Sequence, residues 1–123
     1  MKLNLDELNK LSQEELLLAL LDGAIESTKI SKKAIIDKDM QKSNKELIRV
    51  QNIFAELMVT LDQNVGQWAK DMYNVYDFIR HELSKVNVTN DIKIIDEILP
   101  IIQQIRDVWY EVYNKARNNR QEE

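Results

Sequence analysis

Apolar residues recur at spacings of three and four along four long stretches of the chain, which short polar stretches separate. The second stretch carries Leu47, Val50, Phe54, Leu57 and Leu61, and the fourth carries Ile95, Ile98, Ile102, Ile105, Trp109, Val112 and Ala116. This rhythm is typical of helices that bury one face. The pattern therefore predicts four long helices, which run from Ser12 to about Asp37, Met40 to Leu61, Val65 to Val86 and Asp91 to Ala116.

Polar residues that can cap a helix precede each of these stretches. Ser12 and Glu15 form a capping box, in which Ser12 accepts a hydrogen bond from the Glu15 N–H and Glu15 reaches back. The other expected caps are Asp39, Asn64, and Thr89 or Asn90. Connections of a few residues make consecutive helices antiparallel.

Together these features predict an all-α fold, an antiparallel up-down-up-down four-helix bundle over residues 12–117. A short helical or extended N-terminal segment, residues 1–11, precedes the bundle, and residues 118–123 form a polar tail that we expect to be frayed. Pro100 lies inside the fourth helix, where it removes a backbone donor. We expect a kink there, either as a bend around the bundle or as a break and restart.

The apolar faces are wider than a bundle needs. Ten of the fifteen residues from Leu47 to Leu61 are apolar, and on a helical wheel they cover about 240° where roughly 100° is usual. Surplus apolar surface marks an interaction site. Three covers fit: the chain's own N-terminal segment, with Leu3, Leu5, Leu8 and Leu11, a second copy of the chain, or a partner segment laid into a groove.

Composition narrows the class of protein further. Two glycines and one proline in 123 residues leave too few turn formers for a hairpin-rich β fold. The chain has no cysteine, which excludes disulfides and thiol chemistry. Its net charge of −4 argues against nucleic-acid binding. No stretch is apolar for long enough to insert into a membrane, and the N-terminus lacks a signal-peptide pattern, so we expect a cytoplasmic protein.

The sequence offers little chemistry. His81 is the sole histidine, and Asp77 four residues before it predicts a surface pair rather than a catalytic one. Phe78 stands where a Glu-x-x-His motif of a di-iron bundle would need glutamate. Phosphate-loop, EF-hand and dinucleotide patterns are missing. We therefore predict no enzyme, no catalytic residue, no metal and no cofactor.

Five ordered segments resemble a known family, the flagellar secretion chaperones called FliS. They are residues 15–25 (ELLLALLDGAI), 38–48 (KDMQKSNKELI), 51–62 (QNIFAELMVTLD), 76–79 (YDFI) and 106–109 (RDVW). The resemblance covers about residues 14 to 116 in the family's order and spacing. Each segment alone is largely apolar helix, and the ordered set is what makes the match specific.

The resemblance implies a cytosolic export chaperone in the form of an antiparallel helical bundle. Such a chaperone binds the disordered C-terminal segment of flagellin, prevents premature polymerisation and delivers flagellin to the export gate of the flagellar type III apparatus. The free form is expected to be a monomer or a weak dimer. Gly23, costly inside a helix, would then permit close approach of a neighbouring backbone.

The candidate partner-binding residues lie on the surplus face of the second helix and on the two later helices. They are Ile48, Gln51, Asn52, Ala55, Met58, Val59, Tyr76, Ile79, Ile101 and Val108. Gln51 and Asn52 are candidates for hydrogen bonds to a partner backbone, and for Gln51 a bond within the bundle is the alternative. Two other functions stay open: a chaperone for another flagellar secretion substrate, and a self-associating helical bundle.

Overall fold

Four helices make up almost all of the computed structural model, which describes residues 12–122. They are α1 (Gln13–Ile36), α2 (Met40–Thr60), α3 (Gln67–Thr89) and α4 (Ile92–Glu122), with a short 3₁₀ helix (Gln63–Val65) before α3. No strand occurs within these residues. The predicted all-α class is confirmed. The proposed N-terminal segment, with Leu3, Leu5, Leu8 and Leu11, lies outside the described residues.

The first two helices begin at the expected caps. The Ser12 hydroxyl accepts a hydrogen bond from the Glu15 N–H at 3.2 Å and donates one to the Glu15 carboxylate at 3.1 Å. The Asp39 carboxylate accepts from the Lys42 N–H at 3.2 Å. Both caps satisfy backbone donors that have no partner inside the helix. These boundaries were predictable because they depend on residues three apart.

The third helix begins later than predicted, and Asn64 does not cap it. The Asp62 carboxylate instead accepts from the Asn64 N–H at 2.9 Å, which starts the 3₁₀ turn. Gly66 follows with φ 151° and ψ 173° and stands at the N-cap of α3. Residues with a Cβ avoid this backbone conformation, so the turn depends on this glycine.

The α3–α4 turn and the end of α4 also differ from the prediction. Asn90 is the left-handed C-cap of α3, with φ 56°, rather than the cap of the next helix. The Asp91 carboxylate accepts from the Lys93 N–H at 3.0 Å at the start of α4. From there α4 runs to Glu122, beyond the expected end at Ala116. The helix thus includes residues 118–122 of the tail that was expected to be frayed.

Pro100 does not interrupt α4, so the expected break and restart is absent. A proline leaves the carbonyl four residues earlier without its helical donor. Here that residue is Asp96, and both Asp96 and Pro100 are exposed. Water can therefore hydrogen-bond the freed carbonyl, which makes the proline tolerable at this position.

The helices pack as a ring in the order α3, α2, α1, α4, and the α3–α4 interface is the smallest of the four. The predicted stripes form the core, with Leu47, Val50, Phe54, Ile95, Ile98 and Ile102 buried. The last part of the α4 stripe is different, because Val112 and Ala116 are exposed. Two ion pairs join α1 to α4, Lys32–Asp96 at 2.6 Å and Asp22–Arg106 at 2.9 Å.

Gly23 is buried in α1, but no neighbouring backbone approaches it. A Cβ added there would meet only side-chain atoms, Arg49 Nη2 at 3.8 Å and Ile53 Cδ1 at 3.9 Å. These are ordinary van der Waals distances. The expectation that close backbone contact requires this glycine is therefore wrong.

Gly23→Ala should stabilise the protein by about 0.5–1 kcal/mol, because alanine fits the space and restricts the unfolded chain. Urea unfolding followed by far-UV circular dichroism measures this change. Gly66→Ala is the matched control and should destabilise, since its φ of 151° strains any residue with a Cβ. A loss of stability in Gly23→Ala would contradict the geometry at that site.

Candidate partner-binding surface

Four of the predicted partner-binding residues follow one line on the outside of α2. Ile48, Asn52, Ala55 and Val59 are four, three and four residues apart, which places them on one face of the helix. Ile48 is 45% exposed and Val59 is 80% exposed. Asn52 is exposed and Ala55 half-buried. We call this line the α2 edge.

Two buried residues of α2 show how the edge sits in the bundle. On the α3 side, Met58 Sδ accepts a hydrogen bond from Arg80 Nη1 at 3.6 Å. On the α1 side, Ile53 packs near Gly23. The α2 edge lies between these two contacts on the outward face, where no helix within residues 12–122 covers it.

The side chains of Gln51 and Asn52 differ in their hydrogen bonds. The Gln51 side chain is half-buried and donates to the Leu47 carbonyl of its own helix at 3.2 Å. This bond is of the kind given as the alternative for Gln51, a bond within the bundle. The exposed Asn52 side chain makes no hydrogen bond within the described residues. Asn52 is therefore the amide that is free to bind a partner.

Three predicted groove residues are in the core instead. Met58, Tyr76 and Ile79 are all buried. Phe54 and Tyr76 pack with ring centroids 5.7 Å apart. The helical wheel placed Met58 at the margin of the wide apolar arc of α2, and α3 covers that margin. Tyr76 and Ile79 belong to α3 itself and point into the core. These three residues are not part of the accessible surface.

Tyr76 is tied to the two tryptophans at one end of the bundle. Its hydroxyl accepts a hydrogen bond from Trp109 Nε1 at 3.0 Å, and the Trp109 ring meets Trp68 edge-on with centroids 5.9 Å apart. Burial raises the pKa of Tyr76 to about 12, although the Trp109 hydrogen bond partly opposes this. The phenol therefore stays neutral and acts as a structural acceptor.

A cavity of about 540 Å³ opens at this end of the bundle, which we call the end cavity. Apolar side chains of three helices line it: Leu16, Leu17 and Leu20 of α1, Leu57 of α2, and Trp109, Val112 and Tyr113 of α4. The sequence showed that leucines wrap most of α1. It did not show the cavity, which depends on how the ends of three helices align.

A second cavity of about 590 Å³ lies on the outside of the α1–α2 interface, and we call it the outer cavity. Ile48 and Asn52 of the α2 edge line it, together with Leu20 and Glu56. Leu20 and Glu56 also line the end cavity. The α2 edge, the outer cavity and the end cavity therefore form one connected surface.

Ile101 and Val108 lie on another side of the molecule. Arg106, two residues before Val108, pairs with Asp22 of α1. Positions two apart point about 200° apart around a helix, so Val108 faces away from α1 and toward α3. The predicted partner-binding residues thus divide between the α2 edge and the α3–α4 interface.

The sole histidine of the sequence lies on the surface of α3. His81 is exposed, and its Nδ1 lies 3.1 Å from the Asp77 carbonyl oxygen and 3.6 Å from the Asp77 carboxylate. Within residues 12–122, no three histidine or carboxylate side chains are grouped to hold a metal ion. In the same range no helix is long and apolar enough to cross a membrane.

Comparison with known proteins gives a consistent family. A family model described as flagellar protein FliS matches residues 4–116. The flagellar secretion chaperone FliS of Bacillus subtilis (strain 168) is 30% identical over 115 residues, which cover 94% of this chain and 86% of that protein. The protein of the same name from Vibrio cholerae serotype O1 is 26% identical over 113 residues, covering 91% of this chain and 83% of that protein.

A solved structure shares the fold. The crystal structure of a flagellar chaperone from bacteria matches with a TM-score of 0.78 at 18% sequence identity. The match covers 87% of this chain and 88% of that one. The helical fold over that range is therefore common to both.

Tyr76→Phe should lower the free energy of unfolding by about 1 kcal/mol, because the Trp109 indole N–H loses its acceptor. Urea unfolding followed by circular dichroism measures the loss. Tyr113→Phe is the control, since the Tyr113 hydroxyl makes no hydrogen bond within the described residues. Equal stabilities for the two variants would show that the Tyr76–Trp109 bond contributes nothing.

Proposed function

We propose that this chain, which belongs to the FliS family of flagellar secretion chaperones, binds the disordered C-terminal segment of flagellin in the cytosol. Bound in this way, flagellin cannot polymerise early, and the complex is delivered to the export gate of the flagellar type III apparatus. The family membership supports the general role of export chaperone. The choice of flagellin as substrate is our proposal.

The connected apolar surface from the α2 edge to the end cavity carries this proposal. A chain that already packs its own core still presents Ile48 and Val59 to solvent, and Ile48 lines the outer cavity, which continues into the apolar end cavity. Exposed apolar surface of this kind marks binding sites. Its length along α2 suits an extended or helical segment rather than a small molecule.

The proposed binding mode follows from what lines the surface. Apolar side chains of the partner would enter the outer and end cavities, and Asn52 would hydrogen-bond the partner backbone. Glu46, Arg49 and Glu56 line the outer cavity with charges of both signs. A disordered segment loses conformational entropy when it binds, so apolar burial along this surface must exceed that cost.

Ile48→Asp combined with Val59→Asp should weaken binding of a flagellin C-terminal peptide by at least about 100-fold, because two carboxylates would be desolvated at the interface. Isothermal titration calorimetry measures the affinity. Both side chains are exposed, so the variant should keep the helical signal and stability of the parent. Met58 is not a suitable position, since aspartate there would enter the core.

Val65→Asp is the control, because Val65 is also exposed but lies in the 3₁₀ turn that follows α2 and lines neither cavity. It should bind the peptide as the parent does. Unchanged affinity in the α2-edge variant would exclude this site. If the protein binds a different flagellar export substrate and not flagellin, the proposed surface stands and the proposed substrate is wrong. If the free protein is a tight dimer that the α2-edge variant dissociates, the surface serves self-association.

The N-terminal segment is proposed as a reversible cap on this surface. The first two residues of α1, Gln13 and Glu14, line the end cavity. The preceding residues, with Leu3, Leu5, Leu8 and Leu11, are therefore joined to the chain beside that cavity. A cap of this kind would compete with the partner for the same apolar surface.

Deletion of residues 1–10 should therefore tighten peptide binding several-fold, since the bound state no longer displaces a competitor. Calorimetry against the same flagellin peptide tests this. Replacing Leu3, Leu5 and Leu8 by serine in the full chain should have the same effect. If neither change raises the affinity, the segment is not a cap.

A further inference from the structure

The α3–α4 interface leaves a second apolar surface, which the proposed flagellin site does not use. We call it the seam, and its members are Trp68 and Val75 of α3 and Ile101 and Val108 of α4. Trp68 is 53% exposed and Val108 is 44% exposed, while Val75 and Ile101 are half-buried. The seam exists because α3 and α4 share the smallest interface of the bundle.

The contacts around the seam show that these four residues face one another. The Trp68 ring contacts Trp109 of α4, and Val75 follows Trp68 by seven residues, so both face α4. On α4, Val108 follows Ile101 by seven residues and faces away from α1. Val112, one turn after Val108, lines the end cavity, so the seam meets that cavity at one end.

Carboxylates flank the seam at both ends. Asp71 and Glu82 lie four residues before and seven after Val75 on α3, and Glu97 and Glu111 lie four before Ile101 and three after Val108 on α4. Because α3 and α4 are antiparallel, Glu82 and Glu97 come to one end and Asp71 and Glu111 to the other. These pairs are separated by about 16 Å along α3, at 1.5 Å per residue.

Three of these four carboxylates, Asp71, Glu97 and Glu111, form no ion pair within residues 12–122. Asp71 accepts a hydrogen bond from the neutral Gln67 side chain, and Glu82 pairs with Lys85. Glu97 and Glu111 are exposed and make no hydrogen bond or ion pair within residues 12–122. On the same face of α4, Lys93 and Lys115 lie beyond Glu97 and Glu111 rather than between them.

We propose that the seam binds a short basic amphipathic helix. An apolar stripe on that helix would lie over Val75, Ile101 and Val108. Lysine or arginine residues about three turns apart would meet the two carboxylate pairs. This partner is distinct in its chemistry from the segment assigned to the α2 edge, and the seam does not depend on that assignment.

The test uses two synthetic helical peptides of about 14 residues. Both carry leucines at three- and four-residue spacing, and they differ only in having lysine or glutamate beside the stripe near both ends. By isothermal titration calorimetry at low salt, the full-length protein should bind the basic peptide at least about tenfold more tightly than the acidic one. High salt should reduce that difference, because exposed charges are screened.

Variants of the protein test whether the basic peptide binds at the seam. Glu97→Gln with Glu111→Gln should weaken the basic peptide about three- to tenfold. Gln41→Lys with Asn44→Lys changes the net charge equally at exposed positions of α2, and it should have much less effect. Val108→Asp should abolish binding, and Val108→Ser serves the same purpose if the aspartate variant is unstable.

Ile48→Asp with Val59→Asp should leave the basic peptide bound, which separates this result from the test of the α2 edge. Equal affinity for the two peptides, or full binding by Val108→Asp and Val108→Ser, would overturn the proposal. A free protein that sediments as a dimer and becomes monomeric on Val108→Asp would also overturn it, because a second copy would then be the occupant.

Discussion

The whole arrangement depends on a face of small residues in α1. Ala24, Ser27, Thr28, Ser31 and Ala34 are all buried, and small side chains let neighbouring helices pack closely. Thr28 and Ser31 donate to carbonyls of their own helix at 2.7 Å, so burying their hydroxyls costs little. Leu16, Leu17 and Leu20 replace these small residues near the start of α1, and the end cavity lies among those leucines. Small residues in the second half of α1 allow close packing, whereas the leucines in its first half hold the helices apart. The position of the end cavity follows from this difference.

The features that the sequence predicted correctly are those that depend on interactions between residues close together in the chain. The caps at Ser12 and Asp39 involve residues three apart, and the stripes of α2 and α4 follow the helical period. The start of α3 was missed because Asp62 competes with Asn64 for the same turn, and the local pattern does not rank them.

The site was only partly predictable, for a different reason. A helical wheel shows how wide an apolar face is, but the neighbouring helix decides which margin it covers. Ile48 and Val59 of α2 are exposed, whereas α3 covers Met58. Tyr76 and Ile79 are core residues of α3. The end cavity and the seam needed the relative placement of helices that are far apart in sequence, and no pattern within one helix contains that information.

The pairing of the two tryptophans has a practical consequence for studying the protein. Trp68 and Trp109 are the only tryptophans in the chain, and both lie at the same end of the bundle, with Trp109 lining the end cavity. All of the intrinsic tryptophan fluorescence therefore originates at one place. Emission from the native protein therefore reports on that end of the bundle. It is insensitive to changes at the opposite end, where Asn90 joins α3 to α4.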